Sequence, residues 1–322
     1  MSGQVWSVNS EGGFAYSDNL SDDLRMALQP VLKMRQFADI KDGAHQGMNK
    51  GDTFHWNVYS DVATAGGTLV ETNTMPETTI SITQGTLTIT EYGNSVGYTG
   101  KLDDLSYHPI REIVTKALKN DAKKAFDTAV ATQMDSGLLR VVPTSGNSTT
   151  SLDLTVNGTA TETNSVAFQA AHARLVAIEM MERNIPAYAM DDYYAVARPS
   201  TYNTFKDNLE DIRMYVETGF GMIMNGEIGR YEGIRFTQQT HLAQGTGLGT
   251  PTAAWTNSLS DWIVFFGEDT VAEAIAIPEE IRGKLPQDFG RDKGVAWYYL
   301  GGFALSHSVA ADSRIVIWDS AA

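Results

Sequence analysis

The chain has 322 residues, 42% of them hydrophobic and 20% charged, a formal charge of −15 at pH 7, and no cysteine. That length and apolar share support one large or two coupled domains. The missing thiols exclude disulfides, Cys-ligated zinc, iron–sulfur clusters and thiolate catalysis, and the acidity opposes binding to nucleic acid through clustered Lys and Arg as the main role.

Residues Met1 to Leu20 lack the basic and apolar regions of a secretory signal, so none is expected. The uncharged run Gly294 to Ala311 is interrupted by Gly301, Gly302, Ser306 and Ser308. It falls short of the ~20 apolar residues that a membrane span needs. A soluble protein with no membrane partner is the expectation.

In chain order, residues 1–50 read as an arm with little core of its own. Its one amphipathic stretch, Ser21 to Phe37, repeats Leu24, Leu28, Val31, Leu32 and Phe37 at helical spacing and is interrupted by Pro30. Residues 51–101 form a long two-stranded excursion. Phe54, Trp56 and Val58 alternate with polar residues; Ile80, Ile82, Leu87 and Ile89 alternate with threonines and Ser81, and Gly85 is expected to break that second strand. An isolated hairpin is marginal in water, so those seven apolar residues are assigned to contact with another subunit.

Asp103 to about Asp135 reads as one helix of about 45 Å at ~1.5 Å per residue. Its stripe is Ile110, Ile113, Val114, Ala117, Leu118, Ala122, Ala125, Phe126, Ala129, Val130 and Met134. Asp103, Asp104 and Ser106 are N-cap candidates, Pro109 fits a first turn, and Gly137 supplies the stop. Residues 143–163 read as a loop with a short strand at Leu152 to Val156. A second helix is expected over Asn164 to Arg183, with Phe168, Ala171, Leu175 and Ile178 inward, then a strand at Tyr193 to Ala197 and a short helix start at Pro199 to Lys206. Leu209 to Met224 gives no clear element. Gly226 to Gln239 reads as a turn into a strand, and His241 to Asn257 as a loop. Strands are expected at Trp262 to Phe266, Val271 to Ile277, Val295 to Leu305 and Arg314 to Trp318. The sum is an α+β chain.

No motif carries convincing chemistry. Asp288-Phe289-Gly290 matches the magnesium-binding tripeptide of kinases, but the accompanying kinase elements are missing and a turn is the better reading. Gly245, Gly247 and Gly249 neither follow a strand nor open a helix, so a surface loop is favoured over a dinucleotide site. The six histidines show no i, i+3 or i+4 pair. Adjacent acids such as Asp191-Asp192 and Glu279-Glu280 fit caps and turns better than a hydrolytic pair. Lys116, Lys119, Lys123 and Lys124 line the polar side of the long helix. A solvated face balanced by Glu112, Asp121 and Asp127 is preferred there to a strip facing nucleic acid. No catalytic, cofactor-binding or metal residue is assigned, and no cofactor is expected.

The order of parts is more telling. An arm, a long hairpin, a long helix and a mixed α/β region resemble the major capsid proteins of tailed bacteriophages, the Hong Kong 97-like fold in its podovirus-type branch. Tyr194-Ala-Val-Ala-Arg-Pro-Ser200 resembles that family's strand entering a short helix, and Gly226-Glu-Ile-Gly-Arg-Tyr-Glu-Gly-Ile-Arg-Phe236 its turn before an axial-domain strand. Phe265-Phe-Gly267 with Ala272 to Ile277 is similar to its late strand pair, and Gly294-Val-Ala-Trp-Tyr-Tyr299 to its closing strand.

The resemblance implies an N-terminal arm (1–50), an extended loop (51–101), a spine helix with part of the peripheral domain (102–163), an axial domain (164–257) and closing strands (258–322). It implies a non-enzymatic virion protein, assembled in the host cytoplasm into hexamers and pentamers of an icosahedral head. The shell would enclose double-stranded DNA without sequence-specific binding. A separate scaffolding protein, a portal and a decoration protein are the implied partners. Some members of that family weld subunits through a loop lysine; this chain has none between Asp52 and Gly100, so a noncovalent shell is expected. The alternatives are an encapsulin-like nanocompartment shell, a β-rich binding protein or adhesin, and last a hydrolase using scattered carboxylates.

Overall fold

The computed structural model describes residues 33–41, 51–62, 66–75, 77–189, 191–213, 229–241, 262–285 and 288–319. In chain order the strands are β1 (Asp39–Lys41), β2 (Thr53–Tyr59), β3 (Ile82–Thr88), β4 (Thr90–Thr99), β5 (Leu139–Pro143), β6 (Leu152–Thr155) and β7 (Tyr193–Ala197). They continue with β8 (Arg230–Tyr231), β9 (Ile234–Gln238), β10 (Ile263–Phe266), β11 (Val271–Gly283), β12 (Asp292–Leu305) and β13 (Ile315–Trp318). The helices are α1 (Gly100–Leu105), α2 (Ile110–Asp135), α3 (Ala170–Glu182) and α4 (Asn203–Arg213). Among the described residues no helix is long and apolar enough to cross a membrane.

The strands form a four-stranded sheet ordered β1-β11-β12-β4, a seven-stranded sheet ordered β6-β5-β13-β10-β7-β9-β8, and the separate pair β2-β3. Helix α2 lies across the four-stranded sheet, with Val114, Leu118, Phe126 and Val130 packed on Val295, Trp297, Tyr299 and Phe303 of β12. The Phe126 ring meets Tyr299 edge-on at 4.7 Å and Trp297 at 5.5 Å between centroids. A second core gathers Phe168, Val176, Met180 and Phe205 around α3 and α4.

The seven-stranded sheet is the wall between the two cores. In β10, Val264 and Phe266 join the α2 side while Ile263 and Phe265 join the other. In β13, Ile315 and Ile317 go one way and Val316 and Trp318 the other. A strand buried on both faces has no polar side to show, which is why IVFF and IVIW are continuous apolar runs.

Four expectations need correction. The long helix is two: α1 is capped by Thr99, whose hydroxyl accepts from Leu102 N–H at 3.3 Å, and Pro109 caps α2 through its carbonyl. Pro109 biases His108 away from helical geometry, so the chain breaks before it. The 26 residues of α2 span about 39 Å. Asp103, Asp104 and Ser106 are therefore not the caps. The second helix starts at Ala170, not Asn164, and buries Ala170, Ala173, Val176, Ala177 and Met180, whereas Ile178 is 44% exposed. Small side chains face the wall because they allow close approach, so a search for the bulkiest stripe selects the wrong side.

Gly85 does not break its strand; it sits opposite Trp56 within β3. A Cβ there would overlap the Trp56 indole, so glycine is the residue that lets the ring lie across the pair. Thr90–Thr99 belongs to the four-stranded sheet, paired with β12 from Thr90↔Gly301 to Thr99↔Asp292, so the hairpin itself ends at Thr88. The expected arm helix lies outside the described residues except at its end, where Arg35–Phe37 forms a short 3-10 turn. Leu209–Met224 is described only to Arg213, and the loop at 241–257 lies outside the described residues beyond His241.

Candidate assembly surfaces

The hairpin is amphipathic by register. Phe54 faces Leu87, Trp56 faces Gly85 and Val58 faces Thr83, all on one side; Thr53, His55, Asn57 and Tyr59 pair with Thr88, Thr86, Gln84 and Ile82 on the other. The apolar side sits against the end of β12. Trp56 Nε1 donates to the Ser306 carbonyl at 2.9 Å, and Leu87 is buried against Gly302. Gly302 leaves room that a Cβ would take from Leu87 and the Thr88 carbonyl. Beside this seat, Phe54, Trp56, Val58, His307, Asp269 and Arg314 border a cavity of about 480 Å³. His307 Nε2 lies 3.3 Å from Asp269 Oδ2 there.

The seven residues assigned to an intersubunit contact therefore divide. Leu87, 1% exposed, is covered by its own chain, because Gly302 and the Trp56 seat bring β12 under it; it has no surface left for a neighbour. Phe54, Trp56, Val58 and Ile89 are half-buried. Ile80 and Ile82, 53% and 64% exposed, carry apolar surface into solvent. Beyond them the excursion exposes Tyr59, Val62, Leu69, Val70 and Met75 as well. Tyr59 stands opposite Ile82 at the end of the paired strands, and the other four lie between the strands, where no alternation marks them.

A second constellation fixes the start of the described chain. Asp127 on α2 accepts from Met34 N–H at 2.7 Å and Arg35 N–H at 3.3 Å. The Arg35 guanidinium lies over Phe126, 4.3 Å from its centroid, and donates to Glu273 at 2.8 Å and Glu279 at 3.0 Å. The Tyr299 hydroxyl donates to Glu273 at 3.0 Å. Burial raises the Asp127 carboxyl above its ordinary range, against the opposing backbone hydrogen bonds. Burial works against the charge on Arg35, but the hydrogen bonds and charges of Glu279 and Glu273 outweigh it and raise the guanidinium. Burial, then the Glu273 charge, pushes the Tyr299 hydroxyl up. Arg35 and Glu273 are 238 positions apart, so no local spacing announces them.

Asp288 and Phe289 take left-handed conformations (φ 50° and 55°) in the turn between β11 and β12, with Phe289 fully exposed. The tripeptide is a turn, as its neighbours in sequence imply.

The fold with these surfaces can be compared with known proteins. No protein-family model matches the chain, and no curated protein matches it. Solved structures do. The capsid of cyanophage P-SCSP1u superposes with a TM-score of 0.68 at 13% identity, over 95% of this chain and 93% of that one. The fold is that of phage capsid proteins. The head of Helicobacter pylori bacteriophage KHP40 gives 0.65 at 11% identity over 97% and 98% of the two chains, and the capsid of Ralstonia phage GP4 gives 0.64 at 12% over 98% of each. The chain is thus an α+β Hong Kong 97-like capsid fold, as its order of parts implies, at identities where sequence comparison is silent.

Proposed function

We propose that this chain is the major capsid protein of a tailed-phage head. It self-assembles into hexamers and pentamers of an icosahedral shell around double-stranded DNA, which it encloses without reading sequence, and it catalyses no reaction. The observation that carries the reading is the match of the whole chain to capsid structures, joined to an excursion of exposed apolar residues that its own body leaves uncovered. Residues 51–88 act as the loop laid over a neighbouring subunit, with Ile80 and Ile82 making contact and Phe54, Trp56 and Val58 seating the hairpin at home. The absence of lysine from residues 51–100 removes the loop amine for an isopeptide weld, so the shell is noncovalent. A scaffolding protein guides closure, a portal occupies one vertex, and a decoration protein reinforces the exterior; the particle is built in the host cytoplasm.

The test is negative-stain electron microscopy with light scattering on protein expressed with and without its neighbouring genes. Closed particles or capsomer-sized rings are expected. A monodisperse monomer under every condition would overturn the shell reading.

A further inference from the structure

His172, near the start of α3, is 0% exposed, and both of its ring nitrogens are engaged. Nδ1 accepts from the Gln169 N–H at 3.3 Å, one half of a capping box whose other half is the Gln169 side chain on the His172 N–H. Nε2 lies 3.0 Å from the Ser148 carbonyl, in the turn between β5 and β6. A carbonyl only accepts and a backbone N–H only donates, so the two partners fix one tautomer, with the proton on Nε2 and the lone pair on Nδ1. The ring packs against Trp318 and Phe168, at 4.9 and 6.2 Å between centroids.

A second proton is poorly received there. It would enter at Nδ1, where the Gln169 N–H already points, and it would put a charge where no water reaches. Burial lowers the imidazole below its ordinary 6.5, against the smaller pull of the Ser148 carbonyl. Among the described residues, the charged side chains on the surrounding elements are engaged elsewhere or lie at the surface. Asp153 accepts from Thr144 at 2.9 Å, Asp319 pairs with Arg140 at 3.6 Å and Glu179 with Arg183 at 2.9 Å. Arg174 and Asp207 are exposed, and Lys206 is half-exposed. We propose that His172 is an acid-operated latch: the neutral ring ties the β5–β6 turn to the start of α3, and protonation drives the ring out to water and frees both. The base of the turn is held separately, with Ser165 donating to the Gly146 carbonyl through its N–H at 2.8 Å and its hydroxyl at 2.7 Å. The release is therefore local. Residues 147–151 and the Gln169 cap open, next to the edge strand β6, while the rest of the wall keeps its ladder.

The experiment is amide hydrogen exchange on the purified full chain between pH 7.5 and pH 5, read by mass spectrometry and corrected for the intrinsic pH dependence of exchange. Above 6.5 the open and closed forms both hold a neutral ring, so protection in peptides covering 147–151 and 169–172 should be constant. Below it the open form takes up a proton that the closed form resists, and protection there should fall at least tenfold from pH 7 to pH 5. Protection in α2 and β10 should stay flat. His172→Gln, whose amide can donate to the Ser148 carbonyl but does not titrate, should remove the pH dependence. His172→Asn, whose Oδ1 can accept from the Gln169 N–H, should remove it as well. A flat wild-type profile would overturn the proposal on its own. So would an unchanged pH dependence in either variant, because the titrating group would then lie elsewhere. Uniform acceleration along the whole chain would also overturn it, since that is global acid unfolding and not release of a latch.

Discussion

The seven-stranded sheet and the β2-β3 hairpin are both built of β-branched and aromatic residues, yet only one of them is finished by the chain that makes it. All four residues of β10 and of β13 are buried, each face covered by a core of the same molecule. In β2 burial alternates down the strand, and the half that is covered rests on a few contacts: one indole hydrogen bond, one leucine and two glycines. A strand that its own fold covers twice reads as a continuous apolar run, and one covered once alternates; the excursion beyond the last covered pair leaves its apolar side chains exposed. Removing parts of each should therefore have different consequences.

The largest expected effect separates folding from assembly. Deleting Ala63 to Met75 should leave the thermal midpoint of the subunit unchanged and abolish closed particles in electron micrographs; normal shells from this variant would show that the excursion makes no essential contact. Next is the body itself. Phe126→Ala removes a ring that is 1% exposed and shared by Tyr299, Trp297 and Arg35. It should lower the urea-unfolding free energy by about 3–5 kcal/mol.

Gly85→Ala acts on the seam between the two regions. The new Cβ displaces the Trp56 ring and with it the bond to Ser306, an overpacking cost of about 1–3 kcal/mol. Hydrogen exchange should quicken in β2 and β3 while α2 and β12 keep their protection; uniform acceleration would mean that hairpin and body are one unit. The smallest effect concerns Asp127. Burial raises its folded value above the ordinary 3.8, so the folded chain holds this proton at a higher pH than the unfolded chain does. Its contribution is fully present below about 3.8 and is lost as pH rises through the folded value. Wild type should therefore gain stability relative to Asp127→Asn between pH 7 and pH 4. A gap in urea midpoints that does not change with pH would refute the raised value.

Much of this was legible in the sequence where burial imposes a period. The α2 stripe and the strands at Tyr193–Ala197, Ile263–Phe266, Asp292–Leu305 and Ile315–Trp318 show it within a few residues of their observed limits, whereas β11 runs six residues past the expected Ile277, into an exposed half with no apolar period. Beyond that, the misses share a cause. β4, with the sequence TEYGNSVGYT, is held by its ladder to β12 and has little apolar alternation of its own. β5 follows directly on the helix stop at Gly137 and, buried along all five residues, shows no alternation to mark it as a strand. α3 turns alanines to the wall, which an apolar-size search cannot favour. On the candidate surfaces, the hairpin was recognisable from alternation alone, but the sequence could not separate the residues that seat it at home, such as Leu87, from those that reach outward, such as Ile82. The Arg35–Glu273 pair joins residues 238 positions apart, beyond the reach of any local pattern.

The wall shared by two cores has a mechanical consequence. Phe265 and Phe266 are adjacent on one strand, yet one ring is packed under α3 and α4 and the other under α2. Neither half can loosen without tugging the backbone of the other, so the body should melt in a single calorimetric transition with equal van't Hoff and calorimetric enthalpies. In the proposed shell such a body should act as a stiff tile, and the hairpin, held to it by few contacts, should be the part that yields when neighbours shift.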